Sequence, residues 1–223
     1  MDYFNQLNGE QQSLLLKHLN LVIEANKSIN LTRIDNVDEG MILHIEDSLK
    51  GVDFLNDAPA GLYGDMGSGA GFPGIPLAVT TGRDTVLIDA RVKKVKVLDS
   101  FIQELGLRNV TTFAGRAELL AKKQSKRYAA LTARALSQLP VLLELASPLL
   151  QDGGYLICYK ANVKEEELAD ARRVLPLVGM ELVGDESFLL NGEFQRRIMT
   201  FGKTGKPKVK LPRQEGMAQK HPL

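Results

Sequence analysis

Apolar positions recur at helical spacing early in the chain and at strand spacing later. Over residues 10–26, Leu14, Leu15, Leu19, Val22 and Ile23 share one face of a 3.6-residue period, which predicts an amphipathic helix. Asn30, Leu31 and Thr32 interrupt it. A second helix is predicted over 37–50, capped by Asp35 or Asn36, with Met41, Ile42, Ile45 and Leu49 inward and Gly51 closing it. From residue 62 short apolar runs alternate with amphipathic stretches. Strands are predicted at 62–66, in a run ending at Asp89, at 110–114, at 128–132 and, after Gly153-Gly154, at 155–160. The intervening helices start at Pro73, span 93–105 with Gly106 closing, span 139–150 with Pro148 ending or kinking the helix, and span 163–175 as an acidic, exposed helix.

The alternation then stops. "MELVGDESFLL" and "EFQRRIMTFG" are two strand-like runs joined by Asn191-Gly192. Asn-Gly is the strongest short hairpin signal, because a type I′ turn needs positive φ at both central residues. The chain therefore predicts an α/β fold: five βα units, a sixth strand, and a seventh folded back antiparallel. Residues 1–58 form an N-terminal helical segment, 59–202 the core and 203–223 a basic tail.

The strongest chemical signal is "LYGDMGSGAGFPGIPLAV" at 62–79. Read from Gly67 through Gly69 to Gly71, it is the loop of an S-adenosylmethionine (SAM) site. Read as Gly69-Ala-Gly71-Phe-Pro-Gly74, it satisfies the G-x-G-x-x-G dinucleotide fingerprint. Both use a tight glycine turn that brings backbone close to a ligand at a helix N-terminus. Asp65, two residues before Gly67, suits the cationic methionine end of SAM, or caps a turn. Asp89 lies about 20 residues past the glycines, where an acid accepts ribose hydroxyls. NAD and SAM share that ribose, so Asp89 points only to an adenosine. The reversed seventh strand does discriminate. By fold-level analogy it gives the Rossmann-like, seven-stranded sheet of class I SAM-dependent methyltransferases, with N-terminal helices added. No second βαβαβ half with a hydride-transfer constellation follows.

Composition narrows the class further. At 44% hydrophobic and 25% charged, the chain is an ordinary globular one, without an apolar run of membrane-spanning length or a signal-peptide pattern. Cys158 is the single cysteine and sits in an apolar strand, so it reads as a small core residue. With His18, His44 and His221 scattered, no metal site is expected. The cytoplasm and a monomer are the expected setting. Residues 203–223 carry five lysines and one arginine against one glutamate, a net of +5, so the first 202 residues carry −4 of the overall +1. A basic tail suits a polyanion, although composition alone favours a solvated, partly disordered terminus.

Several segments together resemble one family. "NLTRID…MILHIEDSL", "GDMGSGAGFPGIPLA", "LIDARVKKVKVLDSFIQELGL", "GRAEL", "ARALSQL" and "YLICYKA" occur in the order seen in the glucose-inhibited division protein B family. These are bacterial methyltransferases acting on guanine N7 in 16S rRNA of the small ribosomal subunit. The resemblance spans 21–223. It implies SAM as cofactor, with Gly67 and Phe72 as glycine-loop contacts, Ala117 and Glu118 at the adenine, and Arg134 as a further cofactor-site residue. His44, Asp47 and Ser48 match the family's H-I-x-D-S segment and are expected near the mouth of the pocket. The chain departs from the family at Gly64, where a larger residue is usual, and at Arg91, where many members carry a small or polar one.

Guanine N7 is a lone-pair acceptor without a proton to remove, so no general base is required, and no catalytic side chain stands out. The Asn/Asp-Pro-Pro-aromatic run of exocyclic adenine methylation is replaced by Thr132-Ala133-Arg134-Ala135. RNA contacts are expected from Arg33, Lys93, Lys94, Lys96, Lys160, Arg196, Arg197 and the tail lysines, with the target base unpaired or extruded. A small-molecule methyltransferase on the same fold, an NAD(P)-dependent oxidoreductase and a non-enzymatic RNA-binding module are the alternatives.

Overall fold

A computed structural model describes residues 3–223. A short 3-10 turn at Phe4–Gln6 leads into α1 (Gly9–Asn26). Asn8 caps α1 reciprocally: its side chain accepts from the Gln11 N–H, and the Gln11 side chain accepts from the Asn8 N–H. Leu15, Leu19 and Val22 turn inward, and His18 is buried with them.

The predicted second helix is present, but its pitch is uneven. α2 (Val37–Gly40), capped by Asn36, runs into a π-helical stretch, Met41–Glu46, and then α3 (Asp47–Leu49). A π-turn fits an extra residue into each turn, which rotates the following face. Ile45 and Leu49 stay buried while Met41 and Ile42 are only half-buried. His44, Asp47 and Ser48 are turned into the protein instead. Gly40 makes the approach possible, since a Cβ there stands 2.6 Å from Leu19 Cδ1. α4 (Val52–Asp57) completes this layer.

The sheet holds β1 (Tyr63–Met66), β2 (Thr85–Asp89), β3 (Val110–Ala114), β4 (Tyr128–Arg134), β5 (Leu150–Lys160), β6 (Met180–Leu190) and β7 (Phe194–Lys203), in the order β3-β2-β1-β4-β5-β7-β6. β1 to β5 are parallel, and β7 runs antiparallel between β5 and β6. Asn191 and Gly192 have φ of 51° and 71°, and the Glu193 N–H closes their turn on the Leu190 carbonyl. Both faces of the sheet are covered. α1 to α4 pack with α5 (Gly74–Thr81) and α6 (Val92–Leu105) against Tyr63, Leu87, Ala130 and Ile157. α7 (Ala117–Lys123), α8 (Leu139–Ala146) and α9 (Glu165–Val178) cover Met66, Ile88, Leu131 and Cys158. The alternation of these strand residues between two cores is the period of two expected of a sheet buried on both faces.

Several elements differ from the pattern, among them α8, which ends at Ala146 rather than 150. β4 continues to Arg134, because Thr132, Ala133 and Arg134 pair with Ile157, Cys158 and Tyr159. β5 begins at Leu150 rather than after the glycines, and its pairing with β4 jumps from Tyr128–Leu150 to Ala130–Tyr155, which absorbs Gly153 and Gly154 in an irregularity. α9 is not simply exposed: Leu168, Ala171, Val174 and Val178 bury one side of it.

The tail is a larger correction. It is anchored on the protein at several points, while Lys206, Lys208, Lys210 and Lys220 stay exposed to solvent. Lys203 is buried and its ammonium donates to Ser147 Oγ and the Val178 carbonyl, both at 2.7 Å. Arg213 forks onto Glu144 of α8 at 2.7 and 2.5 Å and also donates to the His221 carbonyl. A last short helix, α10 (Met217–Lys220), buries Ala218. Two of the counted basic charges therefore serve internal contacts. Among the described residues no helix is long and apolar enough to cross a membrane.

Candidate active site

The glycine loop leaves β1 at Met66 and hangs from the end of β2. The Gly67 and Ser68 N–H groups donate to the Ile88 carbonyl at 2.7 and 3.1 Å, and the Gly69 N–H donates to Asp89 Oδ2 at 3.0 Å. Gly67, Gly69 and Gly71 have φ of 74°, 58° and 92°, so the turn needs glycine at each alternate position. Pro73 precedes α5, the helix that begins at Gly74.

Asp65 is buried beneath this loop. Its Oδ1 accepts from Thr132 Oγ1 at 2.7 Å and its Oδ2 from the Gly74 N–H at 3.2 Å. With the Thr132 hydrogen committed, Tyr63 Oη donates to Thr132 Oγ1 at 2.7 Å. Asp65 thus ties β1, β4 and the start of α5 together, and burial raises its pKa. Asp89 is also satisfied from the backbone, by Gly69 and, on Oδ1, by the Arg91 N–H at 2.8 Å. The departure at Gly64 has a packing reason: a Cβ there stands 2.7 Å from Leu131 Cδ2 and 2.8 Å from Tyr128 Cδ1, so β4 side chains fill the space. Arg91 is exposed at the start of α6.

Phe72 lies between two histidines. His44 stacks on it with centroids 4.4 Å apart and planes at 7°, and His18 meets it at 4.4 Å and 36°. A carbonyl only accepts, so His18 Nε2–H donates to Ala70 O at 2.9 Å, and Nδ1 is buried without a partner. Arg134 donates to His44 Nδ1 at 3.3 Å, which leaves Nε2–H to donate to Thr32 Oγ1 at 2.9 Å. Both rings are neutral. Burial lowers His18 to about 4, and burial followed by the Arg134 charge lowers His44 to about 3.

Asp47 is the hub of the adjoining charges. Its Oδ2 accepts from Arg134 at 2.8 Å and its Oδ1 from Arg196 Nε at 2.9 Å. Arg134 also donates to the Leu43 carbonyl. Ser48 faces inward: its hydroxyl donates to the His44 carbonyl, and its own carbonyl accepts from Tyr159 Oη at 2.8 Å. His44, Asp47, Arg134, Tyr159, Lys160 and Arg196 line a cavity of about 460 Å³, whereas Ser48 does not.

A second, smaller cleft of about 70 Å³ runs along the strand ends past Gly67, Ile88, Gly115, Ala117 and Glu118. Arg134 and Ala135 line the larger cavity and Leu136 the smaller, so the segment leaving β4 stands between them. Leu136 overlies the loop, with its Cδ1 2.7 Å from where a Gly67 Cβ would stand. Ala117 and Glu118 open α7, and Glu118 is buried.

The basic residues expected to meet RNA divide into two groups. Arg33, Lys93 and Lys96 are exposed. Lys94 is half-buried with its ammonium 3.8 Å from the position of a Gly69 Cβ, over the glycine loop. Lys160 pairs with Glu167 at 2.6 Å, Arg196 with Asp47, and Arg197 forks onto Asp185 at 2.6 Å. Thr132, Thr32 and Tyr159 were not singled out by sequence, because single hydroxyls carry no motif; only the fold brings them to these sites. Among the described residues no cluster of side chains suits a metal ion.

The comparisons agree with this architecture. A family described as rRNA small subunit methyltransferase G matches residues 11–193. The chain is 34% identical over 222 residues to ribosomal RNA small subunit methyltransferase G of Desulfitobacterium hafniense, covering 98% of this chain and 92% of that one. It is 32% identical to the protein of the same name from Lactococcus lactis subsp. cremoris, over 100% of this chain and 95% of that one. Among solved structures, the YcgJ protein of Bacillus subtilis superposes with a TM-score of 0.59 at 12% identity, over 73% of this chain and 100% of that one, a likeness of fold. The extent of the family match and the near full-length likeness of these relatives place this chain in the GidB family, rRNA small subunit methyltransferase G.

Proposed function

We propose that this chain transfers a methyl group from SAM to N7 of a guanine in 16S rRNA. The observation that carries the reading is a pair of cavities flanking the β4 exit. One is a small cleft beside the glycine loop that holds Glu118, and the other is a larger cavity rimmed by Arg134, Lys160 and Arg196. The name borne by the relatives supports small-subunit rRNA as the substrate, and the family resemblance supports guanine N7.

The residues suit SAM. The only side-chain atom within 4 Å of the Gly69 Cβ position is Lys94 Nζ, at 3.8 Å, and an ammonium there suits an amino-acid carboxylate. Asp89 has lone pairs beyond the two that its backbone partners use, suited to ribose hydroxyls. Ala117 and Glu118 lie beyond it at the end of β3, suited to the base. Phe72, fixed between two rings, and Gly67 and Gly71 hold the loop in shape. The cleft, about 70 Å³, is smaller than a nucleoside, and the half-exposed Leu136 forms part of its lining.

When bound, SAM supplies an electrophilic methyl group on sulfur. The protein's task is then alignment, because an N7 lone pair needs no base. The side chains at the junction fit that role. His44 is neutral and hydrogen-bonded on both nitrogens, and Asp47 is held by two guanidiniums. Both are committed to these contacts, which suits positioning. Arg33, Lys93 and Lys96 supply exposed positive charge for the RNA backbone.

The test is incubation with labelled SAM and either naked 16S rRNA or small-subunit particles, followed by nucleoside mass spectrometry. SAM-dependent N7-methylguanine is expected; its absence from both substrates overturns the reading.

A further inference from the structure

The C-terminal segment reaches the cleft through Gly216 and Gln219. The Gly216 N–H donates to Glu118 Oε1 at 2.8 Å, across 98 residues of sequence. No other protein donor meets the Glu118 carboxylate among the described residues. Gln219 lines the cleft beside Glu118, and its Oε1 accepts from Arg116 Nη1 at 3.4 Å. The segment is anchored independently of these contacts, by the Arg213 fork on Glu144 and by Ala218, which is 1% exposed. Gly216 is therefore held in place, and it holds Glu118 in turn.

The sheet order fixes what Glu118 faces. Neighbouring strands β1, β2 and β3 end in the glycine loop, Asp89 and the Gly115–Glu118 segment, respectively. A nucleoside lying across these ends with its ribose at Asp89 carries its base to Glu118. A carboxylate accepts hydrogen bonds and cannot donate them. One oxygen is committed to Gly216, so the second selects a base edge that carries an N–H.

We propose that Gly216–Gln219 forms the outer wall of the base subsite, and that Gly216 is a positioning residue aiming Glu118 at the exocyclic amine of a 6-aminopurine. The proposal rests on the reading that the cleft takes SAM. At the 6-position a 6-oxopurine presents a carbonyl oxygen to the same carboxylate, with its N–H one atom away on N1, so two acceptors face each other and the base is disfavoured. Without the tail, Glu118 swings into solvent and the preference fades.

The experiment compares binding of S-adenosylhomocysteine and S-inosylhomocysteine by calorimetry. The proteins are the full chain, a truncation lacking residues 214–223, and Gly216→Val. Gly216 has φ of 76°, which a β-branched residue does not hold, while its Cβ position is 3.8 Å from the nearest neighbouring atom, Arg116 Nη1, so the substitution moves the N–H without a clash at Cβ. The full chain is expected to prefer the adenosyl ligand at least about tenfold, and both variants to lose most of that ratio. A purely structural tail weakens both ligands equally and leaves the ratio intact; that result in Gly216→Val, with a cooperative melt, overturns the proposal. Failure of the full chain to bind S-adenosylhomocysteine overturns the cofactor reading and this proposal with it.

Discussion

The Phe72 ring lies face to face with the His44 imidazole, 4.4 Å apart and 7° from parallel. One ring belongs to the glycine loop and the other to the π-helical stretch, so this stack joins the N-terminal helices to the candidate cofactor site. Phe72→Leu keeps apolar bulk but loses two ring contacts, with His44 and with His18. Each such pair is worth roughly 0.5–1.5 kcal/mol beyond its area, so a stability loss of about 1–3 kcal/mol is expected. Urea unfolding monitored by circular dichroism measures it. An unchanged midpoint refutes the role of the stack.

The two neutral histidines make stability depend on pH. Each has a folded pKa, about 4 for His18 and about 3 for His44, below the unfolded value near 6.5. Between those limits the unfolded chain binds more protons, so stability falls as pH drops below about 6.5 and continues to fall toward pH 4. At pH 5 the loss is about 2 kcal/mol for each histidine relative to pH 7. His18→Leu is expected to halve this contribution, read as the difference in unfolding free energy between pH 7 and pH 5. An identical pH slope in the variant counts against a neutral buried His18.

Much of this site was legible in the sequence, and the illegible part has a common cause. The glycine loop, Asp65, Asp89 and the Asn191-Gly192 turn are local features, set by φ requirements and strand-end spacing within a few residues. The Asp47–Arg134–Arg196 cluster joins residues 87 and 149 positions apart, and no periodicity encodes it. The π-helical stretch is invisible because its letters suit an α-helix; packing of Gly40 on Leu19 is part of what sets its face. The tail misled by charge counting. Lys203 and Arg213 add to the net charge, yet both are consumed by Ser147, Val178 and Glu144.

Asp47→Asn tests the charge hub. An amide keeps one acceptor but turns an NH₂ toward the other guanidinium. Removing one partner from a buried ion cluster costs up to about 3 kcal/mol, with less expected where the arginines reach solvent. Arg134 also loses its fixed position at the junction of the two cavities. SAM affinity is expected to change little while rRNA methylation falls at least about tenfold, since misalignment acts on the transfer step. Single-turnover methylation at saturating SAM separates the two. A parallel loss of SAM binding places Asp47 in the cofactor site instead.

Gly64 provides the sharpest test of packing. Its missing side chain is replaced by neighbours from β4, with Leu131 Cδ2 2.7 Å and Tyr128 Cδ1 2.8 Å from the Cβ position. Real Cβ contacts do not reach such distances, and both neighbours are fully buried, so neither moves freely. Gly64→Ala is therefore destabilising by about 1–3 kcal/mol, although alanine is the better strand residue by backbone entropy. The cost comes from side-chain volume and not from φ, so it is reversible by making room. In the double variant Gly64→Ala with Leu131→Ala, the alanine at 64 occupies part of the space the leucine vacates. The two changes are expected to combine with less loss than their sum, by at least about 1 kcal/mol. Strict additivity in thermal or urea unfolding shows that β4 side chains do not fill the Gly64 position.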